Sequence, residues 1–334
     1  IGNPTVPAPA CVKEAIEDIL ETRESVAIHG YTAASGDASV RQGLADYMNQ
    51  TYDAQVRADN FYMTCGAAAS LTISLKALVE GPDDKIILIA PFFPEYTVFV
   101  HNANAKAVVL PPDTEHFQIS LDALEKAITP HTRAIIINSP NNPSGVVYSA
   151  DTYEKLAALL TRKSQEIGHP IYIISDEPYR EIIYDGLPIL YVPKFYKDTI
   201  ICYSYSKSLS LPGERIGYVL VPDCAADAQE VYTAVCGAGR SMGFVCAPHL
   251  FQDVILKCMG QTSDVDVYDQ NRKLLYNGLK EMGYDCVYPS GAFYLFVKSP
   301  EPDAKAFSDK AKKLNLLIVP ADSFGCPGYV RISY

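Results

Sequence analysis

Apolar residues recur at helical spacing in several stretches of the chain. After a proline-rich extended opening, Ile1 to Pro9, the residues Val12, Ile16, Ile19 and Leu20 fall on one face and predict a helix over 9–24. Val40, Leu44 and Tyr47 do the same over 38–52, and His29 to Gly36 between them offers no apolar face and reads as a loop. The segment 61–70 opens a helix that runs to Glu80 and is closed by Gly81. From there the pattern alternates. Apolar runs over 85–90 and 107–110 read as buried strands, and Ser120 caps a helix carrying Leu121, Leu124 and Ile128. A strand over 133–138, a helix over 151–167 and strands over 171–175, 199–203 and 216–221 follow.

Continuous β-branched runs separated by helices predict a parallel sheet covered on both faces. The pattern changes after about residue 240, where a long helix over 265–282 precedes strand-like runs over 292–297, 316–319 and 329–333. That mixture predicts a second, smaller α+β domain. No repeat, low-complexity tract or charged tail interrupts the chain.

Composition narrows the partners. The 334 residues are 48% hydrophobic and 20% charged, the profile of a globular protein with a sizeable core. A formal net charge of −11 makes nucleic acid and anionic membrane poor partners, but leaves room for a small anionic substrate in a locally basic site. Nine scattered cysteines contain no CxxC pair, the pattern of reduced thiols filling core gaps, so a cytoplasmic location is expected and no metal site. No apolar run reaches membrane length. No leader-like segment opens the chain, which carries little weight because it opens on Ile1 instead of methionine.

The most informative stretch lies between the strands over 199–203 and 216–221. It reads Ser204-Tyr205-Ser206-Lys207-Ser208-Leu209-Ser210-Leu211-Pro212-Gly213-Glu214-Arg215-Ile216-Gly217. A lysine amine forms a Schiff base with a carbonyl cofactor. Two serines and an arginine suit a phosphate dianion. Together they read as an anchor for pyridoxal phosphate (PLP), whose aldehyde and phosphate sit at opposite edges of one ring; a lone lysine in a solvated loop would be the plainer reading. Two further polar clusters end strands, where ligands of open α/β sheets gather. These are Asn138-Ser139-Pro140-Asn141-Asn142-Pro143-Ser144-Gly145 and Ser175-Asp176-Glu177-Pro178-Tyr179. Either alone would be a turn or a helix cap.

In this order the three clusters resemble the signature of class I/II aminotransferases. The match spans the chain from Gly2 to Arg331. The resemblance implies fold type I: α/β, with a large domain over 31–240 built on a mostly parallel sheet between helices, and a smaller α+β domain from 1–30 and 241–334. It implies that Lys207 holds PLP and serves as the base at the substrate's Cα, that Asp176 pairs with the pyridine nitrogen, and that Asn142 and Tyr179 hydrogen-bond the phenolic oxygen. Gly66, Ala67 and Ala68, at a helix start, would grip the phosphate with Ser204, Ser206 and Arg215. Phe93 would stack on the ring, with Phe92 facing the core. Arg331, in an apolar strand, would bind the substrate α-carboxylate in place of a structural ion pair. Asn142 and Gly2 would also touch substrate. Tyr31 would reach the phosphate of a neighbouring subunit, which implies a homodimer with shared active sites. Relatives carry an arm ahead of the Gly2 position and a helical region after that of Arg331, stretches outside this sequence.

The expected reaction is ping-pong transfer of an amino group from an L-amino acid to a 2-oxo acid such as 2-oxoglutarate. Arg240, in Gly239-Arg240-Ser241-Met242-Gly243-Phe244, favours an aspartate-like donor if it reads a side-chain carboxylate, although it also suits a plain surface position; alanine and aromatic amino acids are alternatives. A carbon–sulfur lyase on the same fold is a second reading. An aminotransferase-like sensor domain of a transcription regulator is a third, disfavoured by the acidic charge and by the lack of a winged-helix segment.

Overall fold

The structure, a computed structural model, describes residues 2–334; Ile1, the first residue of the expected extended opening, lies outside the described residues. Strands β1 (Phe61–Thr64), β2 (Lys85–Ile89), β3 (Lys106–Leu110), β4 (Thr132–Asn138), β5 (Tyr172–Asp176), β6 (Thr199–Ser204) and β7 (Gly217–Leu220) form one sheet in the order β1-β7-β6-β5-β4-β2-β3. Neighbours from β3 through β6 are parallel, and β7 runs antiparallel to both β6 and β1. The predicted mostly parallel sheet is therefore present.

Alternate residues of each strand enter cores on opposite faces, as the two-residue period of a strand requires. Ile86 and Leu88 join Ala134, Ile136, Ile174 and Ile200 under the helices α4 (Ala67–Leu78), α5 (Glu95–Asn102) and α9 (Ala228–Ser241). Ile87, Ile89, Ile135, Ile137 and Ile173 pack the other way, beneath α6 (Leu121–Ala127) and α7 (Ala150–Ile167). Further along that face, Phe61, Met63, Ile201 and Leu220 meet α1 (Ala10–Thr22), α2 (Ser25–His29), α3 (Ala38–Tyr52) and α10 (His249–Lys257). A short helix α8 (Tyr205–Ser208) follows β6.

The second sheet is antiparallel. Strands β8 (Tyr294–Lys298), β9 (Val319–Pro320) and β10 (Tyr329–Ser333) lie in the order β8-β10-β9, flanked by α11 (Val265–Glu281) and α12 (Ala304–Lys313). Helices α1 and α10, which the proposed division into 31–240 against 1–30 plus 241–334 assigns to the smaller domain, share a core with the large sheet.

Several expectations need correction. Phe61–Thr64 is a strand, and the helix after it spans Ala67–Leu78 with Val79 as its C-cap, short of Glu80 and Gly81. β3 is apolar in sequence but is the sheet's edge, so Lys106, Ala107 and Val109 are exposed. Ser120 stands at the N-cap of α6 without a capping hydrogen bond, whereas Ser149 caps α7 by accepting from the Thr152 N–H. The strand expected over 316–319 shrinks to Val319–Pro320; Asn315 turns the chain with φ +61, and Leu316 and Leu317 are left exposed. Among the described residues no helix is long and apolar enough to cross a membrane.

Candidate active site

The parallel register brings three strand ends together. Asn138 of β4 lies beside Asp176 of β5, which lies beside Cys202 of β6, two residues before Ser204. On the antiparallel side, Gly217 pairs with Ser204 and with Thr64. Gly66 and Arg215 each stand two residues from that last pair, so they meet. A Cβ on Gly66 would lie 2.6 Å from Arg215 Nη2, and one on Gly217 would lie 2.2 Å from the Tyr203 carbonyl oxygen. Gly66 also holds φ +87, a conformation open to glycine, and leads directly into α4 with no side chain capping the helix.

Around this junction the hydroxyls of Ser204 and Ser206 are 2.6 Å apart. Arg215 donates to Ser206 Oγ at 3.3 Å and to the Pro212 carbonyl at 3.0 Å. Two hydroxyls, one guanidinium and an uncapped helix start thus line one cavity, a donor set suited to a phosphate dianion. Lys207 stands on α8, capped by Ser204 Oγ, which accepts from the Ser206 N–H. Its Nζ donates to the Gly2 carbonyl at 2.6 Å and lies 5.5 Å from the Phe293 ring centroid. Burial, helped by the cations Arg215 and Arg331, pulls its amine down to about 8.

Asp176 is buried. The Tyr96 hydroxyl donates to its Oδ2 at 2.5 Å, and Asn138 Nδ2 donates to its backbone carbonyl at 2.9 Å. Its Oδ1 is buried without a hydrogen-bond partner. Burial raises the carboxyl to about 7; the Tyr96 hydrogen bond works against this and the neighbouring Glu177 adds to it.

Across the cavity, Arg331 Nη1 donates to Asn142 Oδ1 at 2.7 Å. Asn142 is itself fixed by its N–H, which donates to Asn138 Oδ1 at 2.7 Å. The Arg331 guanidinium lies 4.5 Å from the Tyr294 ring centroid and 5.0 Å from that of Phe324. Tyr179 and Tyr294 share a hydrogen bond of 2.9 Å between their hydroxyls.

One cavity of about 480 Å³ collects these groups: Gly2, Ala67, Ala68, Phe93, Asn142, Asp176, Tyr179, Ser204, Ser206, Lys207, Arg215 and Arg331 all line it. Phe92 is buried in the core beside α5. Gly66 lies just behind the wall, against Arg215. Tyr31 is 87% exposed, and Arg240, at the end of α9, is exposed; neither lines this cavity. Sequence reasoning missed Tyr96, Tyr294 and Phe324, and it left Asn138 without a role. Tyr96 stands three residues after Phe93, in a stretch whose aromatic rings drew attention and whose hydroxyl did not. Among the described residues no cluster of His, Cys, Asp and Glu is placed to hold a metal.

The comparisons with known proteins agree with this geometry. The family model described as aminotransferase class I and II matches residues 1–334. An aspartate aminotransferase of Thermotoga maritima is 30% identical, over 100% of this chain and 85% of its own length. An aromatic-amino-acid aminotransferase of Thermococcus litoralis is 29% identical, over 100% of this chain and 86% of its own. A solved aminotransferase structure from Eubacterium rectale superimposes with a TM-score of 0.99 at 59% identity, covering 100% of this chain and 84% of that one. With a lysine on the short helix after β6, a buried aspartate and a strand arginine around one cavity, and with these matches along its whole length, the chain belongs to the class I and II aminotransferases, PLP-dependent transaminases of fold type I.

Proposed function

We propose that this chain uses PLP to move an amino group from an L-amino acid to a 2-oxo acid such as 2-oxoglutarate by a ping-pong mechanism. The observation that carries the reading is the unpartnered, buried Oδ1 of Asp176 in the same cavity as Lys207, Arg215 and Arg331. A buried carboxylate oxygen without a partner is costly. A protonated pyridine nitrogen would relieve that cost, and the Ser204, Ser206 and Arg215 donors suit the phosphate at the opposite edge of the ring. The residues therefore fit the cofactor. When bound, it supplies an electron sink for the substrate's α-carbon.

Each side chain then has a task. Asp176 keeps the pyridine nitrogen charged. Tyr179 and Asn142 hold the phenolic oxygen. Lys207 Nζ would carry the proton away from Cα, and the burial that lowers its amine favours the free base which that work needs. Arg331 holds the α-carboxylate with its planar fork. Gly2 closes over the site from the N-terminal segment, and Phe93 covers the ring.

For the donor we propose an aspartate-like amino acid, supported by the name of the Thermotoga relative. Arg240 would have to act from outside this chain's own cavity, as Tyr31 would, and both positions suit a homodimer that shares its sites. A second reading, an aromatic or apolar donor, is favoured by Phe93, Phe99, Val319 and Phe324 in the cavity wall and by the name of the Thermococcus relative. A cytoplasmic location is proposed from the nine cysteines, all of them free. The test is the visible spectrum of the PLP-loaded protein with single amino acids and no acceptor. Bleaching of the yellow band with stoichiometric 2-oxo acid names the donor. A persistent band with accumulating pyruvate and ammonia would replace transfer by carbon–sulfur elimination.

A further inference from the structure

Tyr294 lies on β8 opposite Ser333 of β10, and Arg331 lies opposite Phe296. In an antiparallel pair this diagonal offset puts the side chains of Tyr294 and Arg331 on one face of the small sheet. The consequence is a stack: the guanidinium sits 4.5 Å from the centroid of the Tyr294 ring, which is itself buried. The hydroxyl at the far end of that ring lies 2.9 Å from the hydroxyl of Tyr179. It also sits under the N-terminal segment, where a Cβ on Gly2 would come within 3.1 Å of it.

We propose that Tyr294 is a positioning residue for the transamination site, whose hydroxyl fixes the direction of the Tyr179 hydrogen bond and whose ring supports Arg331. The argument is one of proton counting. Burial keeps both phenols neutral at working pH, so the pair holds two protons. One proton bridges the two oxygens. If Tyr179 donates to Tyr294, Tyr179 has nothing left to give to the cavity. If Tyr294 donates to Tyr179, the Tyr179 proton is free for an acceptor on the cavity side, and its oxygen is made a stronger donor by the bond it receives. Only the second arrangement lets Tyr179 hydrogen-bond the cofactor's phenolic oxygen. Tyr294 thus sets how strongly Tyr179 donates into the cavity. The ring acts on the substrate side, where an arginine over an aromatic face is held without losing its donors.

This inference rests on the proposed PLP chemistry, and the experiment separates the two. The pH midpoint of the bound cofactor's visible colour change is measured for wild type, Tyr294→Phe, Tyr179→Phe and the double variant, together with KM for a panel of amino acids. Tyr294→Phe keeps the ring and removes only the hydroxyl. Its midpoint rises by about half to one pH unit, the size that loss of one hydrogen bond supports, while KM stays within about twofold. In the Tyr179→Phe background the second substitution adds nothing. Tyr294→Leu removes the ring too and raises KM for every amino acid by about five- to twentyfold. A Tyr294→Phe midpoint equal to wild type, or an equal shift with and without Tyr179, overturns the hydroxyl's role. A Tyr294→Leu KM no higher than that of Tyr294→Phe overturns the ring's role. A wild-type protein with no titratable band removes the PLP reading itself, and this inference with it.

Discussion

Tyr96 donates its hydroxyl proton to Oδ2 of Asp176 at 2.5 Å, across 80 residues of sequence and within the buried interior. The bond joins the first turn of α5 to the last residue of β5. It leaves Oδ1 of the same carboxyl without a partner. One oxygen is therefore satisfied by the protein and the other is reserved, which orients the carboxyl and favours its ionised form against the burial that opposes it.

Tyr96→Phe should weaken the enzyme through Asp176 alone. A hydrogen bond to a charged group contributes about 1.5–3 kcal/mol, so kcat/KM should fall by roughly 10- to 100-fold. The loss should be similar for every amino-acid donor, since the proposed function puts Asp176 against the cofactor and not the substrate. Steady-state kinetics across a donor panel checks this. A loss confined to one donor would mean that Tyr96 reads the substrate.

Asp176 also carries a stability cost in the cofactor-free protein. Its carboxyl is raised to about 7 in the fold, from an ordinary value of 3.8. Between these values the folded state holds a proton that the unfolded chain has lost, so the site's contribution to stability falls as pH rises from about 4 to about 7. Above that range the full cost of a buried charge remains. Asp176→Asn removes it, less the cost of an unpartnered amide N–H. The apo variant should therefore be more stable than wild type at pH 8 by about 1–2 kcal/mol, although inactive. The gain should vanish near pH 4. Thermal midpoints of the two apo proteins at both pH values decide it.

Lys207 runs in the opposite sense. Its amine is depressed to about 8, so the charged form is disfavoured in the fold and the free amine is present above that value. Only the free amine attacks an aldehyde. The rate at which PLP attaches to apoprotein should climb about tenfold per pH unit below 8 and level off above it. Stopped-flow absorbance gives this profile directly. A profile that keeps rising to pH 10 would show an amine that is not desolvated. Lys207→Ala should fold, bind the cofactor without covalent attachment and lose turnover.

Contiguous chemistry was legible in the sequence, and chemistry assembled by folding was not. Lys207, Ser204, Ser206 and Arg215 fall within a dozen residues, so their spacing could be read, and the strand ends carrying Asn138 and Asp176 were marked by apolar runs that stop at polar residues. The bonds Tyr96–Asp176 and Tyr179–Tyr294 join positions 80 and 115 residues apart, and nothing in local pattern announces them. The same limit explains the misread elements. β3 is apolar enough to suggest burial, but sheet order leaves it at an edge. Helix α9, which the pattern did not signal, carries Gly237 and Gly239; the second is required because a Cβ there would lie 2.2 Å from the Tyr62 hydroxyl oxygen. Tertiary packing overrode local preference at both places.

Arg331→Lys keeps the charge and loses the fork. The Nη1 hydrogen bond to Asn142 Oδ1 at 2.7 Å goes with it, freeing Asn142 to turn. KM for every α-amino acid should rise by about 10- to 100-fold, the worth of one charge-assisted bidentate contact, with a smaller change in kcat. An effect on aspartate alone would move Arg331 from the α-carboxylate to the side chain.

Gly66→Ala tests the proposed phosphate cup without removing any donor side chain. The residue holds φ +87 and ψ 176, a region that costs an alanine about 1–3 kcal/mol. Its new methyl would also lie 2.6 Å from Arg215 Nη2, and Arg215 is tied to Ser206 and Pro212. The guanidinium must therefore shift, and the start of α4 with it. Half-saturating PLP should rise at least about tenfold, since one charge-assisted contact to phosphate is worth about that much. Strain spread through the fold would also weaken cofactor binding, so PLP affinity alone does not separate the causes. Pyridoxal, which lacks the phosphate, does. If the methyl acts on the cup, the preference for PLP over pyridoxal shrinks and pyridoxal binding is nearly unchanged. If both affinities fall together, the damage is general and Gly66 serves the fold instead of the phosphate.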